Sequence, residues 1–135
     1  MSEENAVAPG FVAGRPRLLL RLEGAAVALA AAFAFSRSGA SWWLFAALIL
    51  APDLSMLFYL AGSRIGAAAY NAAHVTIGPL ALAAASWALG WPAGIAMALV
   101  WITHIGIDRA LGYGLKYSGG FKLTHLGMIG GGGAP

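Results

Sequence analysis

Asp53, His74, His104 and Asp108 are ionisable side chains inside apolar stretches of this chain. At the centre of a membrane helix an Asp, Lys or Arg costs about 2.5–3.5 kcal/mol on insertion scales, so each such group needs a compensating role. His104 and Asp108 are four residues apart and share a helical face, and Tyr70, Asn71 and His74 are neighbours at three and four. Two imidazoles and two carboxylates form a borderline-to-hard N/O donor set that suits Zn²⁺, Mn²⁺ or Fe²⁺ better than a soft metal. Three or four such ligands around an open position lower the pKa of a bound water, which can then attack an ester or phosphoester. The plainer readings are a hydrogen-bonded packing histidine, a helix-internal bond from His104 to Asp108, and Asp53 capping a helix broken by Pro52. What favours ligation is convergence. Counted from the ends of their spans at about 1.5 Å per residue, all four groups fall roughly 5–12 Å from the same surface.

The elements that must position them are membrane helices. The chain has 135 residues, 60% hydrophobic and 10% charged, where soluble domains run nearer about 45–50% and 25%. A chain this short cannot hide that much apolar surface in a water-soluble core. Four apolar stretches are expected to span: Leu22 to Phe35, Trp42 to Leu60, Gly66 to Leu89 and Trp91 to Leu111. Polar or glycine-containing breaks separate them at Ser36 to Ser41, Ala61 to Arg64, and Gly90 to Gly94, where Trp87 and Trp91 read as interfacial aromatics. Ala67, Ala68, Ala69, Ala72 and Ala73 are expected to let neighbouring backbones approach. The expectation is an all-α integral membrane protein, a four-helix transmembrane bundle. Residues 1–17 read as a flexible leader, 18–129 as the membrane domain with a cytoplasmic C-terminal segment, and 130–135 as a flexible Gly-rich tail. The first apolar run is expected to be retained as a helix and not cleaved as a signal peptide.

Charge sets the orientation. With the N-terminus in the cytoplasm, Arg15, Arg17, Arg21, Arg64, Arg109, Lys116 and Lys122 all lie on or near that side and only Arg37 lies opposite, which predicts N-in/C-in topology in the bacterial inner membrane. The net charge of +3 is spread over helix flanks, not clustered on a face, so nucleic acid is excluded as a partner and membrane lipids are expected. A homo-oligomer stays open. Cysteine is absent, which removes disulfides, thiolate metal sites and a Cys nucleophile. Gly112-Tyr113-Gly114 follows a helix, not a strand, so it is no nucleotide fingerprint.

Pro52-Asp53-Leu54-Ser55-Met56, Tyr70-Asn71-Ala72-Ala73-His74 and His104-Ile105-Gly106-Ile107-Asp108-Arg109 occur in order, followed by Gly112-Tyr113-Gly114-Leu115-Lys116-Tyr117 and Thr124-His125-Leu126-Gly127. This series resembles the bacterial integral membrane family known as domain of unknown function 4260, over roughly Leu22 to Gly130. That resemblance implies a membrane location and carries no activity. The chain is also similar, more distantly, to membrane-bound metal-dependent hydrolases, with their Pro-Asp-x-Asp motif, a later His-containing helix and a His-x-x-x-Asp helix. Pro52-Asp53, His74 and His104 to Asp108 match these in turn, and Ser55 stands where that pattern has a second Asp. The departure implies one metal in place of two, or a family that lost catalysis.

The expected function is an intramembrane divalent-metal site near the cytoplasmic face, built from Asp53, His74, His104 and Asp108. Hydrolysis of a lipid-like or phosphoester substrate by metal-bound water is the reaction such a site would run, with Arg64, Lys116 and Lys122 drawing anions. Secondary site candidates are Asn71, Tyr70, Arg109, Lys116 and His125. Two other classes compete. His74 and His104 could ligate a haem in an electron-transfer bundle, or the four ionisable groups could form a proton or ion relay in an oligomeric transporter.

Overall fold

Prolines decide where the helices of this chain stop. The computed structural model describes residues 12–116 and 123–128. Five α-helices follow in order: α1 (Gly14–Arg37), α2 (Trp42–Leu48), α3 (Ser63–His74), α4 (Ile77–Ala88) and α5 (Pro92–Leu111). Between α2 and α3 the chain runs as a 3₁₀ helix over Ala51–Ala61. Such geometry is uncommon beyond three or four residues. A hairpin of two two-residue strands, β1 (Leu123–Thr124) and β2 (Gly127–Met128), closes the described chain.

Proline has no N–H to give the carbonyl four residues back, and its ring clashes with that carbonyl. Pro52 acts on Leu48, and α2 ends at Leu48. Pro79 acts on Val75, which leaves the helix for extended backbone (φ −91°, ψ 149°), so α3 ends at His74. The stretch Gly66 to Leu89, expected as one span, is therefore two helices of 12 residues each. α1 begins at Gly14, inside the segment read as leader, and carries the apolar run continuously to Arg37. Among the described residues, three helical stretches are long and apolar enough to cross a membrane: Gly14–Arg37, Trp42–Ala61 and Pro92–Leu111.

α5 is the central element and packs most extensively against α1, then α4. The α1–α5 contact depends on glycine. A Cβ on Gly106 would lie 2.7 Å from the Ala28 backbone nitrogen, and Gly24 meets α5 equally closely at Arg109 and Ala110. Small residues at such crossings let helices in lipid gain van der Waals contact. Of the five alanines expected to serve this purpose, Ala67 is buried, while Ala68 and Ala72 are exposed. α3 packs mainly on the 3₁₀ helix, with the Tyr59 ring lying over Gly66. A small core of Phe35, Ala96 and Val100 is flanked by Leu44, Phe45 and Leu48. No residue of Trp42–Ala61 is fully buried, and Leu29, Phe33, Trp43 and Leu60 are among the exposed apolar side chains, as in helices bathed by hydrocarbon.

Candidate metal centre

Each helix break frees backbone carbonyls, and side chains of α5 take them up. In a continuous α-helix the Asp53 N–H would donate to Ile49. In the 3₁₀ helix it donates instead to Leu50 (3.0 Å), and the Ile49 carbonyl accepts Nδ1–H of His104. At the end of α3 the last carbonyls have no helical donor. Trp101 Nε1 donates to Ala73 (2.6 Å) and Arg109 Nη2 to His74 (3.0 Å). The end of α5 is held as firmly. Gly112 is left-handed (φ 89°), Tyr113 N–H donates to Asp108 and Gly112 N–H to Arg109, a Schellman closure that seats Asp108 in the last turn.

His74 is oriented in the same way, its Nδ1 bonded to the Tyr70 carbonyl at 2.8 Å. A carbonyl only accepts, so Nδ1 carries a proton in both imidazoles, and each ring in its neutral form presents an Nε2 lone pair. These two Nε2 atoms face each other at 3.1 Å. Asp53 Oδ1 lies 3.2 Å from His74 and 3.1 Å from His104; Asp108 Oδ2 lies 3.4 Å and 3.3 Å from the same atoms. With both rings neutral, four electron-pair donors converge on one point. All ligand atoms lie within 4.8 Å of one another, and the group can hold a metal ion. Five of the six separations lie between 3.1 and 3.4 Å, and a borderline N/O donor set of this kind suits Zn²⁺. Backbone carbonyls on the far nitrogens are the usual supports that fix ligand histidines.

The four donors differ in access. The side chains of His74, His104 and Asp108 are 0%, 4% and 12% exposed, whereas Asp53 is 30% exposed and marks the open side. Ser55 does not join them; its hydroxyl donates to Pro52 (2.7 Å). The secondary candidates surround the cluster and do not enter it. Tyr70 stacks on His74, ring centroids 3.7 Å apart, and its hydroxyl lies 3.4 Å from Asp108 Oδ2. Asn71 grips the backbone of residue 116 from both sides, accepting from Lys116 N–H (2.6 Å) and donating to its carbonyl (2.8 Å). Arg109 binds the His74 and Tyr113 carbonyls and so clamps the ends of α3 and α5.

Lys116 is buried, its ammonium 4.7 Å from the centroid of the Tyr70 ring. Burial pushes it down to about 8, against the pull of Asp108 and Asp53. His125, the last of the secondary candidates, is half-buried in the tail. Its Nδ1 accepts Leu115 N–H (2.9 Å), its own N–H donates to Leu115, and its carbonyl accepts from Val12 (2.7 Å). It belongs to the docking of the hairpin and not to the donor cluster, and burial, aided by the charge of Arg109, lowers its pKa. Lys122 lies outside the described residues, as do 1–11 and 129–135.

Sequence spacing did not reveal the supports on Ile49 and Ala73 or the role of Trp101. Their signal is the proline itself: Pro52 and Pro79 each announce free carbonyls in the preceding turn.

Together these features define a predominantly helical protein in which, among the described residues, three helices are long and apolar enough to cross a membrane and an inward-facing His/Asp group is able to hold a metal ion. The chain belongs to the family described as domain of unknown function 4260 (DUF4260), whose family model matches residues 17–129. No curated protein and no solved structure matches the chain. The family match bears out the first resemblance; it does not extend to the membrane-bound hydrolases.

Proposed function

We propose that this is an inner-membrane, N-in/C-in four-span protein with a divalent cation held by Asp53, His74, His104 and Asp108, and that the site hydrolyses a membrane-proximal ester or phosphoester. The observation that carries the reading is the pair of Nε2 atoms 3.1 Å apart, each aimed by a backbone carbonyl at the far nitrogen and flanked by Asp53 and Asp108. Their two lone pairs beside two carboxylates repel unless a proton or a metal cation lies among them, and a metal cation satisfies all four groups at once. The fourth crossing is α3 and α4 together, whose 24 helical residues rise about 36 Å, enough for a hydrocarbon core of about 30 Å. A break at that depth is tolerated where it is buried in protein, and here α5 satisfies the freed carbonyls. The orientation is supported by Arg21, which donates to Ala110 near the basic end of α5 (2.9 Å), so that the basic residues of α1 and α5 share one level.

A divalent cation in this site supplies a Lewis acid and a more acidic water. In the hydrolysis proposed, water oxygen bonds to the carbonyl or phosphoryl centre, the ester bond to the leaving alcohol breaks, and the proton of water ends on that alcohol. Asp53, the most exposed of the four, is the ligand beside which substrate approaches. The geometry does not favour haem, because Nε2 atoms 3.1 Å apart cannot lie on opposite faces of a macrocycle. Elemental analysis of protein purified in mild detergent tests the reading. One divalent ion per chain, lost in His104→Ala, is the expected result; no ion in the wild type, even after refeeding with Zn²⁺, Mn²⁺ or Fe²⁺, overturns it.

A further inference from the structure

Beside the donor cluster, a cavity of about 270 Å³ is lined by Leu48, Ala51, Pro52, Leu82, Met97 and Trp101. None of these side chains is charged, and the cavity lies within the two apolar stretches Trp42–Ala61 and Pro92–Leu111 and against α4. Three of its wall residues, Leu48, Pro52 and Trp101, adjoin or bond the groups that hold the ligands, whereas Ala51, Leu82 and Met97 only line it. Pro52 adjoins Asp53, Leu48 adjoins Ile49, which holds His104, and Trp101 holds the last turn of α3. On α5, Met97, Trp101, His104 and Asp108 are spaced by four, three and four residues, which places them within about 60° on one face over a rise of about 16 Å. His74 meets His104 and Tyr70 meets Asp108, so Lys116, which lies at Tyr70 and Asn71, sits toward the Asp108 end of the cluster, while Met97 and Trp101 lie toward the other. One stripe therefore reads, in order, apolar groove, four-donor cluster, buried cation.

We propose that this stripe is the binding track of an anionic amphiphile: its hydrocarbon chain lies in the Leu48–Pro52–Met97–Trp101 groove and its anionic head lies at the cluster and Lys116. The inference rests on the metal reading of that cluster and adds the substrate class. In a bilayer the chain gains no hydrophobic energy by leaving lipid for the groove, because lipid tails are as apolar as the groove walls. The groove instead registers the chain so that the head meets the cluster, and filling it excludes a head that carries a chain while sparing a free one.

The test compares ethyl phosphate with dodecyl phosphate as probes, binding to Zn²⁺-loaded full-length protein in phosphatidylcholine nanodiscs, with bound zinc measured in every sample. Ala51→Phe is expected to weaken dodecyl phosphate about tenfold or more and to change ethyl phosphate by less than about twofold. Met97→Phe fills the groove from the opposite wall and is judged by the same ratio, so a folding defect in one variant does not decide the matter. Lys116→Met is expected to weaken both probes. Full zinc content with dodecyl phosphate binding unchanged in both groove variants overturns the substrate class and leaves the metal centre standing. Absence of zinc from the wild type overturns the metal reading and the track with it.

Discussion

Replacing Pro52 by alanine should move fold stability and metal affinity in opposite directions. Alanine restores an N–H to a segment that already continues α2, and proline in a helix interior costs about 3 kcal/mol relative to alanine. With α-helical bonding extended through residue 53, the Asp53 N–H shifts from Leu50 to Ile49 and competes for the carbonyl that now accepts His104 Nδ1–H. The His104 ring then loses the support that fixes its tautomer and aim, a kind of loss that typically lowers metal affinity about 10–100-fold. In free energy that is about 1.4–2.7 kcal/mol. Metal-free Pro52→Ala should accordingly melt higher than metal-free wild type, while competition against a chromophoric chelator reports a Zn²⁺ dissociation constant raised 10–100-fold. Higher stability with unchanged affinity would refute the argument that the helix break exists to free Ile49.

In wild type a chelator should remove a stabilisation of about 2.7 kcal/mol when metal had been present at a hundredfold over its dissociation constant, seen as a fall in melting temperature of roughly 10 °C. His104→Ala should melt at one temperature with or without chelator, and a wild-type melt that ignores chelator would end the metal reading. The C-terminal hairpin should loosen in acid. The folded-state pKa of His125 is lowered, chiefly by burial, so its contribution is complete above the unfolded value of about 6.5 and is lost as pH falls through the folded one. Amide exchange at Leu115, corrected for intrinsic rate, should accelerate between pH 7.5 and pH 5 in wild type, and His125→Phe should lack this dependence. Finally, Gly106→Val would drive a side chain into the Ala28 backbone, and should destabilise the α1–α5 pair by about 1–3 kcal/mol in a detergent unfolding titration; a neutral result would show that the helices can part without cost.

Asp53, His74, His104 and Asp108 could be singled out from sequence because an ionisable group in an apolar run is costly wherever it points. Their common depth followed from counting residues along each span. Depth alone says nothing about rotation, and the secondary candidates show the difference. Asn71 and Tyr70 share a helix face with His74, yet one holds the tail backbone and the other stacks on the ligand ring. His125 sits in a polar stretch, and only the docked hairpin brings its Nδ1 to the Leu115 amide.

Composition and hydropathy by themselves determined that the chain is helical and apolar enough for membrane, because short-range periodicity and transfer free energy are properties of neighbouring residues. The spacing of His104 and Asp108 determined that they share a face, since four residues is about one helical turn. Tertiary structure decided the rest. It showed that the third apolar stretch is two helices, where the local clash at Pro79 is offset by distant donors on α5, Trp101 and Arg109. It also chose the Nδ1–H tautomer of His104, through a carbonyl 55 residues away that is free only because the 3₁₀ helix withholds its usual donor. A hydrogen bond between elements depends on how both helices are broken, rotated and packed, and no window of sequence contains that information.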